Sequence, residues 1–184
     1  MTWQIDNAHS LVEFSVKHMM ISTVRGRFEE FSGVVDFNEE TPALSSVDVQ
    51  IETASINTFE PQRDAHLRSA DFFESERYPL MTFKSTKVEA LDETHGKITG
   101  DLTIRDITHQ VVLNVEYSGQ AMSPWGKTSA GFSAQTKINR KDWNLTWNKA
   151  LETGGVLVGD EIKISIELEI IKQTEAEAEA EAVR

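Results

Sequence analysis

Residues 63–73 read RDAHLRSADFF, placing Arg63, Asp64, His66, Arg68 and Asp71 within nine positions, ahead of two adjacent phenylalanines. Two cations, two carboxylates and an imidazole in so short a span could form the working end of an enzyme. Arg63 and Asp64 would then activate or orient a substrate. The same residues could instead cap and pin a helix through salt bridges, with Phe72 and Phe73 packed beneath it. Spacing alone does not gather the five groups, because neighbours on a helix point in different directions. The structural role leads, and Arg63, Asp64 and His66 are read as a helix clamp.

Other chemistry finds little support. The five histidines (His9, His18, His66, His95 and His109) show no i, i+3 or i, i+4 pair and no HExxH arrangement, so no metal site is expected. No serine lies in a GxSxG elbow, and no glycine-rich loop joins a strand to a helix to cradle phosphate. The absence of cysteine excludes disulfides, thiol catalysis and cysteinyl metal sites. Paired acids such as Glu29-Glu30 and Glu39-Glu40 read as solvated faces and turns. No catalytic residue and no required cofactor is assigned.

The elements that must position these residues are mostly strands. Val12, Phe14, Val16, His18 and Met20 share one parity, and Glu13, Ser15 and Lys17 the other. The same alternation returns in seven further stretches, through Phe37, Val49, Phe83, Leu102, Val115, Phe132 and Ile164. Parity slips between Phe28 and Phe31, which predicts a bulge or bend. Short turn-forming connections favour antiparallel neighbours in a meander. Residues 59–75 interrupt the pattern with helix formers, with Pro61 suited to a first turn and Thr58 a candidate cap.

Eight long amphipathic strands leave two exposed edges unless they close into a barrel. The fold class is therefore all-β: an extended eight-stranded antiparallel barrel with a short helix between strands 3 and 4. Such a barrel can enclose one small ligand. Strand parity assigns Phe14, Val16, His18, Met20, Val49, Ile51, Phe83, Leu102, Phe132 and Ile164 to its lining. Small inward residues (Gly100, Ala130, Ala134) are expected to leave room. Trp143 and Trp147, beside a Gly154-Gly155 pair, are placed at the rim of the cavity mouth.

The net charge of -12 disfavours nucleic acid as a partner, and no lysine-rich segment offers a footing on anionic lipid. The sequence "MTWQIDNAHSLVEF" lacks the basic and apolar regions of a secretory signal. With Met1 as the start, the expectation is a cytoplasmic protein. No apolar run approaches the roughly 20 residues that span a bilayer. Residues 1–173 form one barrel domain, and 174–184 an acidic low-complexity tail that reads as a solvated, frayed extension.

Several long segments then carry a family pattern. They are "IDNAHSLVEFSVKHMMISTVRGRFEEFSG", "ASINTFEPQRDAHLRSADFFESERYPLMTFKS", "GDLTIRDITHQVVL" and "INRKDWNLTWNKALETGGVLVGDEIKISIELE". In this order they resemble the YceI-like family of polyisoprenoid-binding proteins, along the chain to about Lys172. Trp143-Asn144 stands where the family pattern often shows Phe-Gly. The resemblance implies a lipocalin-like barrel holding a long amphiphile, a polyisoprenoid or isoprenoid quinone, in its bore. The leading expectation is non-enzymatic binding, storage or transport of that lipid, with a link to stress. The partner is then a long-chain isoprenoid lipid, and a homodimer is compatible with the sequence. The rival from another class is an enzyme acting on a bound lipid through Arg63, Asp64 or His66.

Overall fold

The structure is a computed structural model describing residues 2–183. The period-two stretches become eleven strands: β1 (Trp3–Ile5), β2 (Leu11–His18), β3 (Ser22–Phe28), β4 (Phe31–Asp36), β5 (Ser46–Glu52) and β6 (Ile56–Asn57) come first. Then follow β7 (Leu80–Ala90), β8 (His95–Ile104), β9 (Ile107–Met122), β10 (Thr128–Asn139) and β11 (Val158–Lys172). Every pairing between them is antiparallel.

Eleven strands make eight staves because the first three staves are each broken once. A turn at Asn7–His9 splits β1 from β2, Glu29 and Glu30 split β3 from β4, and Thr53–Ser55 splits β5 from β6. β11 pairs with both β1 and β2, and β1 also pairs with β4, which closes the ring. The breaks lie side by side and are stitched together. Asn7 Nδ2 donates to the Phe31 carbonyl, Glu29 N to Ser55, and Glu52 N to Glu30. These bonds pair backbone groups where each stave bends, as closure of a strongly curved sheet requires. The parity slip at Phe28–Phe31 is one of these three corners.

One end of the barrel is covered. α1 (Pro61–Arg68) crosses it, together with the strap 140–157 and the tight turn at Arg105–Asp106, where Arg105 Nη1 donates to the Phe72 carbonyl. The helix cap is Glu60, whose carboxylate accepts from Gln62 N and Arg63 N, and not Thr58. The other end carries the 37–45 loop and the 91–94 and 123–127 turns. Beyond it the acidic tail forms a second helix, α2 (Glu175–Ala182), where the sequence reads a frayed extension. Alanine and glutamate are good helix formers, and Thr174 supplies an N-terminal anchor through its contacts with Glu177.

Two aromatic-rich clusters fill much of the interior. One gathers Phe28, Ile56, Met81, Phe83, Leu102 and Ile104 in the half nearest α1. The other gathers Trp3, Val35, Ala130 and Ile170, with Phe37, Tyr117 and Phe132 packed against it. Glycines do not open space here. A side chain at Gly100 would collide with the Phe83 ring and the Lys84 carbonyl, and one at Gly26 with the Phe14 ring. Ala130 is likewise packed shut, so of the three small inward residues only Ala134 borders free volume.

Candidate functional site

Between the two clusters runs a cavity of about 610 Å³. Of the residues assigned to the lining by parity, Phe14, Val16, Val49, Ile51, Phe83, Leu102, Phe132 and Ile164 face it. They alternate with outward polar neighbours because the pleat sends successive side chains to opposite faces. Ile98, Val111, Leu113, Val115 and Ile138 extend the same apolar wall.

Four assigned residues do not face it. Met20 is 65% exposed and sits with Met19 in the β2–β3 turn, both at positive φ, so parity had already ended. His18, the last residue of β2, pairs opposite Ser22 at the turn and lies beyond the cavity. Trp143 is no rim residue. It is 2% exposed, its Nε1 donates to the Leu102 carbonyl at 3.0 Å, and its ring meets His109 edge-on. Trp147 packs on the outer side of the covered end, against His66 and Phe72. The tryptophans missed the rim because the strap that carries them folds over the wrong end of the barrel.

The floor is built by residues without a period-two signal. Leu67 from α1, Phe72 and Phe73 after it, and Leu145 from the strap all face the cavity. Phe73 also meets Phe28 edge-on at 5.7 Å. The charged groups of the RDAHLRSADFF segment hold this floor in place. Asp64, 8% exposed, accepts from Thr58 N at 2.8 Å and Thr58 Oγ1 at 2.5 Å. Arg63 Nε donates to Thr58 Oγ1 and Nη2 to the Thr58 carbonyl, both at 2.8 Å. His66 Nε2 donates to Asp71 Oδ2 at 2.8 Å. The three side chains are turned onto their own loop, and none of them faces the cavity.

A further buried charge secures the strap. Arg140 is 3% exposed and donates to the carbonyls of Leu145, Trp147, Gly159 and Val158, with Asp160 at 3.7 Å. Burial pulls its pKa below the ordinary value, and Asp160 partly offsets this. One guanidinium thereby ties both ends of the segment 145–159 beneath the barrel. Asn144 turns the chain at φ +60°, a left-handed position that asparagine tolerates better than most residues.

The opposite end is open. The β5–β7 ladder stops at the pair Asp48–Lys84, although β7 continues to Ala90. A bulge near Ser85–Lys87 turns β7 away, and Ser85 Oγ takes over as acceptor for Val47 N. Pro42, Ser45 and Ser46 border the resulting gap on one side, and Val88, Glu89 and Ala90 on the other. Glu39, Asp92, Glu93, Thr94 and His95 complete the rim. Asp92 accepts from the backbone N–H groups of Thr94 and His95, which lowers its pKa to about 2. Glu39 accepts from Gln120 Nε2 at 2.8 Å, and Tyr117, its pKa raised by burial, lies just inside. None of the rim was assigned from sequence. Turn residues carry no periodicity, and only the lapse of the β5–β7 ladder brings these turns to a mouth.

Among the described residues, Asp6, His9 and Glu169 form the one group with spacing suited to a metal ion. His9 Nδ1 is already engaged with Asp6 Oδ2 at 2.8 Å. The pair sits at a stave break outside the cavity. No helix among these residues is long and apolar enough to cross a membrane.

A closed antiparallel barrel with an apolar bore, floored at one end and open at the other, defines a class of hollow, single-chamber β-barrels. Within that class the chain belongs to the YceI-like family, whose domain model matches residues 3–170. It is 42% identical over 140 residues to Protein YceI of Escherichia coli O157:H7, covering 76% of this chain and 73% of that protein. The solved Campylobacter jejuni YCEI protein superposes with a TM-score of 0.75 at 38% identity, covering 86% of this chain and 90% of that one. A polyisoprenoid binding domain from Saccharophagus degradans, implicated in plant cell wall breakdown, shares the fold with a TM-score of 0.63 at 15% identity. That match covers 91% of this chain and 97% of the other.

Proposed function

We propose that this protein binds a long amphiphilic lipid, a polyisoprenoid or isoprenoid quinone, for storage or transport and without chemical conversion. The single observation that carries this reading is the 610 Å³ bore lined almost entirely by aliphatic and aromatic side chains. Moving an isoprenoid tail from water into such a bore gains about 25 cal/mol per Å² of apolar surface, enough for tight binding without catalytic groups. The fold shared with a polyisoprenoid binding domain supports the same reading. A role in stress follows if the lipid is one whose free concentration must be limited.

The enzymatic alternative is weakened by Arg63, Asp64 and His66 themselves, since their side chains bond to Thr58 and Asp71 and none of them faces the bore. Native mass spectrometry after gentle purification tests the proposal. A co-purifying isoprenoid mass is expected. A protein that is persistently empty, and that takes up neither octaprenyl lipids nor quinones, would overturn it.

A further inference from the structure

The floor and the mouth of the bore differ in what they can offer a polar head. At the floor Leu67, Phe72, Phe73 and Leu145 present only apolar surface. The cation that does border the bore there, Arg140, has its donors placed on four backbone carbonyls, so it has little left for a ligand oxygen. A polar head forced against this floor would lose its hydration without replacement partners, which is costly. The tail must therefore enter first, leaving the head at the mouth.

The mouth is acidic. Glu39, Glu89, Asp92 and Glu93 border it, and Asp92 is ionised at any physiological pH. Lys97 is the one lysine that borders it, and it stands directly across the β7–β8 ladder from Glu89. Lys87 also binds Glu89, at 2.7 Å. Hydroxyl donors are present among these acids: Ser45 and Ser46 at the edge, and the Tyr117 phenol within, while the Thr94 hydroxyl is already directed at Asp92. An uncharged oxygen can accept from the first three, whereas an anion meets a net negative rim. Glu89 is matched by Lys87 and Lys97 and Asp92 stands beside His95, but among the described residues no lysine or arginine pairs Glu39 or Glu93.

Resting on the lipid-binding reading above, we infer that the bound amphiphile carries no negative charge on its head. The mouth selects alcohols, carbonyl or quinone heads and amines, and selects against phosphate- or carboxylate-headed lipids with the same tail. The selection is electrostatic and lies in exposed groups, so added salt must weaken it.

The test keeps the tail constant. Farnesol and farnesyl monophosphate are titrated against the full chain by displacement of Nile red, an uncharged probe, with calorimetry as a second readout. At low ionic strength farnesol is expected to bind about tenfold more tightly, and near 1 M salt the two affinities converge. In the double variant Glu39→Gln/Glu93→Gln the ratio of the two affinities falls several-fold towards parity. Equal or tighter binding of the phosphate overturns the inference while leaving lipid binding intact. A preference for farnesol that neither salt nor the double variant alters also overturns it, because the discrimination then lies elsewhere. Failure of both ligands, by both readouts, removes this inference together with the function on which it rests.

Discussion

The two ends of the barrel solve opposite problems with charged residues. At the covered end Asp64 and Arg140 are buried, and their bonds run to backbone atoms of the segments that form the floor. At the open end Glu39, Asp92 and Glu93 remain in water, with Asp92 bonded to its own turn and Glu39 to Gln120. Burial makes the first set matter to stability, since an unmade bond there leaves desolvated partners behind. Exposure makes the second set nearly irrelevant to stability but decisive for which molecule can approach. Identical chemical groups thus hold a floor at one end and screen ligands at the other.

The sharpest way to break this contrast is Arg140→Met. It should cost about 3–5 kcal/mol in urea unfolding, because four carbonyls and Asp160 lose their buried partner. Hydrogen exchange should locate the loss in residues 144–158. A cost below 1 kcal/mol would show that the strap is held by its apolar contacts.

Asp64→Ala should come next, at about 2–3 kcal/mol, since the buried donors Thr58 N and Thr58 Oγ1 lose their acceptor. Lipid uptake should fall only as far as the floor loosens. Loss of a turnover activity with the fold and its stability unchanged would restore the enzymatic reading.

The smallest effect belongs to the open end. Asp92 has a folded pKa of about 2 against an ordinary value of 3.8. A depressed carboxylate stabilises the fold above its unfolded value and loses that contribution as pH falls through the folded one. The melting temperature of Asp92→Asn should therefore lie slightly below that of the parent at pH 7. The gap should close as pH falls from about 4 to about 2. A gap that is independent of pH would mean that the turn is held by its neutral hydrogen bonds alone.

What could be read in the sequence follows from what repeats. The alternation of Val12, Phe14 and Val16, or of Ile162, Ile164 and Ile166, is imposed by the pleat and needs no knowledge of neighbours. Eight such runs with short turns imply closure. The same logic placed eight of ten wall residues on the bore and failed at Met20 and His18, where the strand stops. Gly100 shows a second limit. A small inward residue leaves room only if nothing larger leans into it, and Phe83 does.

Local periodicity was enough to give the number of staves, their antiparallel order, the apolar character of the bore and a helical interruption within 59–75. The sequence carried this information because strand and helix periods are local properties of the chain. Tertiary structure alone decided that Trp143 seals a wall, that Asp64 binds Thr58, and that Glu39 meets Asp92 and Glu93 around one mouth. Those residues lie in turns and straps, where direction depends on how far distant ladders run before they part. Here the parting of β5 from β7 after Lys84 is what opens the bore.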